Sequence, residues 1–358
     1  MSAPRSLLTR AALLGALAAF VLPTAALAGG KQQSGTYRQE NLVSDIAGVA
    51  DITDPDLVNP WGLAAGPQTP LWVADNGTDR STIYPGGIRG TLISKAPLVV
   101  DIPGGAPTGA VYNPTGDFQL GQTGPALFIF SSEAGQITAW NKTAGTSAMS
   151  VFTAPDGAIY KGLALESGKK SGTLIYATDF HNAKVDVFDG SFAPVHMPGA
   201  FEDPNIPAGF APFGIQAING SIVVTYAMQD ADREDDVKGP GLGFVDVYTP
   251  SGGLVRRLIS NGELNAPWGL VLAPSGFGQF SHDLLVGNFG DGRINAYDPR
   301  TGGSLGQLRT KFGPLTINGL WGLRFGNGVT GSPHTLLFSA GIADEAHGLL
   351  GEIEARRH

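Results

Sequence analysis

The stretch APWGLVLA, residues 266–273, decides the fold because close versions of it recur along the chain. Aligned on their glycines, the copies lie about 50 residues apart, an interval typical of supersecondary units that must pack against their own copies. These glycines are Gly62, Gly109, Gly162, Gly214, Gly269 and Gly322. The chain therefore contains six copies of one structural unit.

Each copy is followed by a second phrase with the pattern of two strands joined by a polar turn. LLVGNFGDGRINAYD (284–298) aligns with IYATDFHNAKVDVFD (175–189) without a gap. A further apolar stretch, such as GLVRRLIS (253–260), precedes the next copy. Four short strands per unit are typical of a propeller blade. We therefore predict an all-β, six-bladed β-propeller with four strands per blade.

The ends of the chain predict how the ring closes. The last copy offers three strands, and the stretch TYRQENLVS (36–44) stands alone before the first copy. We expect strand 36–44 to complete the last blade, which would leave no open edge in the ring. A stacked solenoid is the alternative, but it would need capping repeats.

The repeated glycine has a steric explanation in such a ring. The first strands of the blades crowd around the axis, and a residue without Cβ permits close backbone approach. The aromatic residues just before the glycines are expected to be core residues, with a sugar-binding platform as the alternative. They are Trp61, Phe213, Trp268 and Trp321.

The first 28 residues have the composition of a secretory signal peptide. Arg5 and Arg10 flank or precede the apolar run 11–22, and ALA at 26–28 fits the small residues before a cleavage site. The alternative, a membrane anchor, would need about 20 apolar residues. We predict cleavage after Ala28, a single propeller domain over 29–358, and a secreted protein in the periplasm or outside the cell.

Bulk composition limits the partners. The 358 residues include no cysteine and carry a formal net charge of −8. Stability must therefore come from burial and topology rather than from disulfides. Nucleic-acid binding needs clustered Lys and Arg, and the sequence has no such cluster. We expect a monomer without an integral membrane segment after signal cleavage, and a small molecule, a glycan or a protein as partner.

The repeat resembles known sequences. The pattern P-x-G-L-A … V-A-D … R-I-x-x-Y-D is similar to the NHL-type repeat of six-bladed propellers. LVNPWGLA, LWVADNGT, MQDADREDDVKGPG and NGLWGLRFG resemble an uncharacterised family of secreted proteins from bacteria and plants. This resemblance covers essentially all of residues 29–358. It implies the propeller fold, and it implies no activity because that family has none assigned.

Polar residues near the ends of the second strands are the candidate ligand-binding groups, because those turns open on one face of a propeller. Oxygen-rich side chains that converge there would suit a hard cation such as Ca²⁺. The alternative is that each Asp or Asn caps its own turn. The candidates are Asn59, Asp75, Asn76, Asp179, Asn288 and Asp291.

The fourth copy enlarges this turn into the acidic stretch MQDADREDDVKGPG (228–241). Alternating acids can present oxygens to Ca²⁺ or another divalent cation, although the glycine and glutamate spacing of an EF-hand is missing. The alternative is a solvated acidic loop or a short capped helix. The candidate metal ligands are Asp230, Asp232, Asp235 and Asp236.

Catalytic motifs are sparse. HExxH and GxSxG do not occur, and His181, next to the Asp179 turn, is the weak candidate for a catalytic base. We predict a secreted binding or scaffold propeller. The alternative is a metal-dependent hydrolase of the lactonase or phosphotriesterase type, in which the cation polarises a substrate oxygen. Whether the protein is an enzyme stays open at this point.

Overall fold

The computed structural model describes residues 35–88, 91–168 and 172–356. These residues form six main β-sheets arranged as the blades of a propeller. The first strand of each blade contacts the first strand of the next, and blade 6 contacts blade 1 in the same way. The predicted six-bladed propeller is therefore confirmed. The predicted signal peptide, residues 1–28, lies outside the described residues.

The strands follow chain order within each blade. Blade 1 contains Pro60–Ala64, Leu71–Asp75, Arg80–Tyr84 and Val100–Asp101. Blade 2 contains Pro107–Tyr112, Phe128–Ser132, Gln136–Trp140 and Met149–Thr153. Blade 3 contains Tyr160–Gly168, Gly172–Asp179 and Lys184–Phe188. Blade 4 contains Phe210–Ile218, Ser221–Met228, Phe244–Tyr248 and Leu254–Ser260. Blade 5 contains Pro267–Leu272, Leu284–Asn288, Ile294–Tyr297 and Ser304–Gln307.

Blade 6 joins the two ends of the described chain. It contains Leu320–Phe325, Leu336–Ile342, His347–Ala355, the N-terminal strand Tyr37–Ser44 and a short parallel strand, Ile52–Thr53. Tyr37 lies opposite Ala355 in an antiparallel pair. The Tyr37 hydroxyl donates to the Phe277 carbonyl at 3.0 Å, which ties this strand to blade 5. The predicted closure by strand 36–44 is confirmed.

Short elements complete the described structure. A small hairpin pairs Arg309–Thr310 with Gly313–Pro314. The helical segments among the described residues are 3₁₀ turns: Asn76–Thr78, Gly121–Thr123, Lys142–Ala144 and Gly278–Phe280. In this part of the chain no helix has the length and apolarity needed to cross a bilayer.

Blade 3 differs from the other blades at its outer edge. Within the described residues it has three strands, and an isolated bridge between Phe188 and Pro194 stands where the fourth strand would be. The chain then continues through turns to Phe210, the start of blade 4. The last strand of this blade is therefore paired on its outer side over a shorter length than the third strands of the other blades.

A β-bulge recurs at the repeated phrase in all six blades. The pairing between first and second strands shifts there, for example between Pro212 and Ile215 in blade 4. The glycine sits at this shift and faces the next blade. A Cβ on Gly214 would lie 2.1 Å from the Trp268 carbonyl oxygen, and one on Gly322 would lie 2.5 Å from the Trp61 carbonyl oxygen. Only glycine permits this spacing without displacing the backbone.

Buried hydroxyl groups link neighbouring blades at the same level. Thr225 accepts a hydrogen bond from the Gly214 N–H at 2.8 Å and donates to the Pro267 carbonyl at 2.6 Å. Between blades 6 and 1, Ser339 likewise accepts from the Gly322 N–H and donates to the Trp61 carbonyl. Thr178 and Thr108 donate to carbonyls of blades 4 and 3 at 2.7 Å. These bonds satisfy backbone groups that the bulge removes from the sheet ladder.

Candidate binding site at the axial mouth

The axial mouth is the end of the ring where first strands begin and second strands end. Its floor is a stack of aromatic rings from different blades. Trp61 and Trp321 stack with centroids 3.5 Å apart, and Phe289 stacks on the other side of Trp321 at 3.9 Å. All three are at least 96% buried, while Trp268, edge-on to Trp321, is partly buried. These residues are core, and they close the ring.

Lys161 interrupts the aromatic series, because it occupies the position before the glycine in the third copy. Its side chain is 2% exposed, and its ammonium lies 2.5 Å from Glu133 and 3.1 Å from Asp235. The same ammonium lies 5.4 Å from the centroid of Trp61. Burial lowers the pKa of Lys161, but the two carboxylates outweigh it and leave the pKa above its usual value. The site therefore holds a fixed positive charge.

A chain of hydrogen bonds extends from this ion pair to blades 1 and 6. Glu133 accepts from Asn76 at 2.8 Å, and Asn76 accepts from Asn59 at 3.2 Å. Asn59 also donates to Glu345 at 2.8 Å and accepts from the Trp321 indole at 3.1 Å. The structure thus brings together Asn59 and Asn76, two of the residues predicted from the sequence.

Glu345 is held by a strained turn in blade 6. Three consecutive non-glycine residues, Ala343, Asp344 and Glu345, have φ angles of 54°, 53° and 65°. Such left-handed residues each cost on the order of 1 kcal/mol and persist only where the surroundings determine them. Burial also raises the pKa of Glu345. The turn therefore holds the Glu345 carboxyl group where it accepts from Asn59.

The acidic loop of blade 4, residues 228–241, folds back on itself and reaches neighbouring blades. Asp230 N–H donates to the Asp235 carbonyl, and Val237 N–H donates to the Met228 carbonyl, both at 2.8 Å. Several contacts anchor the loop: Gln229 donates to the Phe180 carbonyl at 2.5 Å, Asp235 pairs with Lys161, and the Lys238 ammonium lies 4.2 Å from the Phe289 ring centroid. The loop therefore lies over the aromatic floor.

Asp236 is the least satisfied group in this loop. Its Oδ2 is buried and has no hydrogen-bond partner among the described residues. Burial raises the pKa of Asp236 to about 7, against the opposing attraction of Lys238 and Lys161. A buried polar atom without a partner costs free energy that a hydrogen-bond donor would recover. A ligand hydroxyl or ammonium group could supply that donor.

A pocket of about 270 Å³ opens beside the loop, between blades 5 and 6. Lys238 and Phe289 line one side of it, and the strained turn with Asp344 and Glu345 lines the other. Its polar lining also includes Asn318. A small molecule could therefore occupy space next to the charged groups of the mouth.

Four other predicted ligand-binding residues bond within their own blades. Asp75 accepts from the N–H and the hydroxyl of Thr82, at 2.9 and 2.8 Å. Asp179 accepts from Asn182 at 2.8 Å in the turn that follows it. Asn288 donates to Asp291 at 3.1 Å, again within one turn. The contacts of Asp179 and Asp291 lie within their turns, as in the turn-capping alternative, whereas Asp75 makes no cap bond and instead bonds Thr82 on the neighbouring strand. Burial raises the pKa of both Asp75 and Asp179.

The predicted metal ligands are spread along the loop. Asp230 accepts from the Glu234 N–H at 2.9 Å, Asp232 is exposed, and Asp235 is engaged by Lys161. In the described ranges no three Asp, Glu or His side chains stand close enough together to hold one metal ion.

His181 has a buried Nδ1 without a hydrogen-bond partner among the described residues. The hydrogen bonds of Asp179 go to its turn and to the Ile159 N–H, and none goes to His181. The structure therefore does not pair the two groups. Sequence reasoning instead missed Lys161, Lys238 and Glu345. For Lys161 a signal existed, because it is the only charged residue before the glycine in the six copies.

Comparisons with known proteins identify relatives in a giant virus. The chain is 33% identical over 339 residues to "Uncharacterized protein R648" of Acanthamoeba polyphaga mimivirus, covering 89% of this chain and 80% of that one. It is 30% identical over 351 residues to "Uncharacterized protein L690" of the same virus, covering 91% and 87%. No family model matches the chain.

Solved structures share the fold at low sequence identity. A streptogramin B lyase superposes with a TM-score of 0.54 at 12% identity, covering 89% of this chain and 98% of that one. A gluconolactonase from Xanthomonas campestris gives 0.50 at 12%, covering 84% and 87%. The aldose sugar dehydrogenase of Escherichia coli gives 0.54 at 15%, covering 90% and 100%. At these identities the likeness shows the propeller fold alone.

Proposed function

The chain belongs to the family of the mimivirus proteins R648 and L690, and we propose that it is a secreted binding propeller whose axial mouth holds a small ligand. The ligand is neutral or cationic and rich in hydrogen-bond donors, such as a polyhydroxylated or amine-bearing molecule. The unpartnered, buried Oδ2 of Asp236, in the loop whose Lys238 lines an open pocket, is the observation that carries this proposal.

Charge supports the ligand class. Four carboxyl groups meet two ammonium groups at the mouth, so the acidic groups are in excess. They are Glu133, Asp235, Asp236 and Glu345, against Lys161 and Lys238. An anionic ligand would face this excess, whereas hydroxyl or ammonium donors would complement it. Polar groups that converge beside an apolar floor are typical of small-molecule sites.

Thermal melting of the purified protein tests the proposal with glucose, glucosamine and gluconate as probes. We expect glucose or glucosamine to raise the melting temperature by binding the native state, and gluconate to have the smaller effect because it is anionic. Asp236→Asn should abolish the shift, whereas Asp232→Asn, which removes an exposed charge from the same loop, should retain it. A shift that Asp236→Asn leaves unchanged would contradict the proposed site.

A hydrolase of the lactonase type is the second candidate. Asp236 favours it, because a carboxyl group whose pKa is about 7 can exchange protons near neutral pH. Hydrolysis of gluconolactone and of a phosphotriester, measured with Ca²⁺ and with EDTA, separates the two candidates. Turnover that Asp236→Asn removes would favour the hydrolase, and binding without turnover would favour the binding propeller.

Secretion and the divalent cation belong to the same proposal. The basic and apolar composition of residues 1–28 supports secretion. N-terminal sequencing of the protein recovered from outside the cytoplasm should begin after Ala28.

A melting temperature that falls in EDTA and recovers with Ca²⁺ would support a bound cation, and an unchanged melting temperature would remove it from the proposal.

A further inference from the structure

The outer edge of blade 3 is the feature from which we draw a further inference. In the described structure the other five blades carry a fourth strand at this position, whereas Lys184–Phe188 is the last strand of blade 3. Two hydrogen bonds cover only its C-terminal end. They run from Val195 N–H to the Val187 carbonyl at 2.7 Å and from Asp189 N–H to the Ala193 carbonyl at 2.9 Å. The beginning of the strand remains uncovered.

The pairing identifies which backbone groups face outward. Val187 points its carbonyl away from the sheet, since Val195 binds it from outside. Backbone direction alternates along a strand, so Val185, two residues earlier, directs its own N–H and carbonyl to the same side. Neither group has a hydrogen-bond partner among the described residues. An uncovered pair of this kind is a template for another extended chain.

A groove lies along this edge, between the outer strands of blades 2 and 3. Its volume is about 570 Å³. Phe152 lines it on the side of blade 2, and Val185, Val187 and Met197 line it on the side of blade 4. The groove therefore offers space for side chains next to the exposed backbone groups.

Charge in the groove points to a basic occupant. Asp156, Asp186 and Glu202 line it, and Lys184 and His196 are the basic side chains beside them. The Lys184 ammonium already lies 2.7 Å from Asp156 and 2.9 Å from Asp186. The ion pairs leave an excess of negative charge. Lysine or arginine side chains of an added strand would complement it.

We propose that an extended segment of a partner protein, with lysine or arginine alternating with apolar residues, adds to blade 3 as its fourth strand. Its backbone pairs with the N–H and carbonyl of Val185. Its side chains alternate in direction, so apolar ones lie beside Val185 and Met197 on the side of blade 4, while basic ones reach Asp156 and Asp186 on the side of blade 2. Strand addition of this kind draws affinity from the backbone and selectivity from the side chains.

A short capped peptide of alternating lysine and valine is the probe, and a peptide of alternating glutamate and valine is its control. Binding to the full chain is measured by isothermal titration, and amide exchange is followed with and without peptide. We expect the lysine peptide to bind with one molecule per chain and to slow exchange at Val185. Failure of the lysine peptide to bind, or equal binding of both peptides, would overturn the proposal.

Val185→Pro tests the pairing directly. Proline removes the outward N–H, and it is tolerated at an edge because the inward ladder keeps its bonds. We expect it to weaken binding about tenfold, whereas Val185→Thr, which keeps the N–H, retains binding. Equal melting temperatures of the two variants show that both are folded. Unchanged binding to Val185→Pro would contradict the proposal.

The carboxylates of the groove and the identity of the occupant are tested separately. Asp156→Asn combined with Glu202→Gln should weaken the lysine peptide about threefold, as expected for exposed ion pairs, and should bring the glutamate peptide closer to it. Sedimentation tests a second copy of the chain as the occupant. A dimer that dissociates in Val185→Pro would overturn the partner-peptide proposal in favour of edge-to-edge self-association.

Discussion

The inner ring, formed by the first strands of the blades, is similar in all six blades, whereas the axial mouth differs from blade to blade. In the inner ring the same glycine and the same β-bulge recur in all six blades. At the mouth the blades differ: blade 3 has Lys161, blade 4 has a long acidic loop, and blade 6 has three left-handed residues. The glycine recurs because each first strand must approach the next closely enough to leave little room for a Cβ. The mouth is free of that constraint, and its charged groups lie where the copies differ.

The largest effect on stability should come from adding a methyl group at one of the repeated glycines of the inner ring. We expect Gly214→Ala to lower the free energy of unfolding by about 3 kcal/mol, because its Cβ would lie 2.1 Å from the Trp268 carbonyl oxygen. Gly162→Ala is the matched control. Its Cβ would lie 3.0 Å from the Phe213 carbonyl oxygen, so we expect a loss of only about 1 kcal/mol. Urea unfolding measures both, and equal losses would contradict the close-approach explanation.

The next effect concerns the hydroxyl groups between blades. Thr225→Val should cost about 2 kcal/mol, because it leaves the Gly214 N–H and the Pro267 carbonyl buried without their bonds. Thr153→Val, at an exposed strand end, should change stability by less than about 0.5 kcal/mol. Chemical denaturation of the two variants compares them. A Thr225→Val variant as stable as wild type would show that the bulge needs no such link.

At the mouth, burial of Asp236 makes stability depend on pH. Its pKa rises from 3.8 to about 7 on folding, so the folded state binds this proton more tightly than the unfolded chain. The stability that this bound proton contributes is therefore fully present below about pH 4 and is lost as the pH rises towards 7. Asp236→Asn should therefore raise stability at pH 8 and leave it nearly unchanged at pH 4. Denaturation at both pH values tests this, with Asp232→Asn as the exposed control. A pH-independent difference would contradict burial of the carboxyl group.

The smallest effect should come from the strained turn of the mouth. Ala343→Gly should stabilise the protein by about 0.5–1 kcal/mol, because glycine adopts a φ of 54° without a steric cost. Ala346→Gly, in the same turn but without a positive φ, should destabilise it by a similar amount. Thermal unfolding of both variants gives the comparison. Loss of stability in Ala343→Gly would show that the turn is relaxed.

The sequence allowed the ring to be predicted because its signals are repeated and local. Six glycines at a regular interval predicted six blades, and the unpaired stretch 36–44 predicted the closure. Asn59 and Asn76, both predicted as ligand-binding residues, are hydrogen-bonded to each other at the mouth. The β-bulge could not be predicted, because register depends on pairing between strands and not on the phrase itself.

Much of the mouth could not be predicted, because its contacts join residues far apart in the sequence. Asn59 and Glu345 bond across 286 positions, and only ring closure brings them together. Asp75, Asp179 and Asn288 stand where a polar ring was expected, and each bonds a partner nearby in the sequence. Oδ1 of Asp75 and Oδ1 of Asn288 are buried without a partner among the described residues. Turn capping, which orders few groups, accounts for the bonds of Asp179 to its own turn.

Amide hydrogen exchange with and without glucosamine tests the central claim most directly, because it reports on both regions in one experiment. We predict slower exchange in residues 229–238 and 341–345 when glucosamine is bound, and no change in the first strands of the blades. Asp236→Asn should remove the protection. Protection confined to segments away from the mouth, or protection that survives in Asp236→Asn, would contradict the claim that the mouth is the binding site.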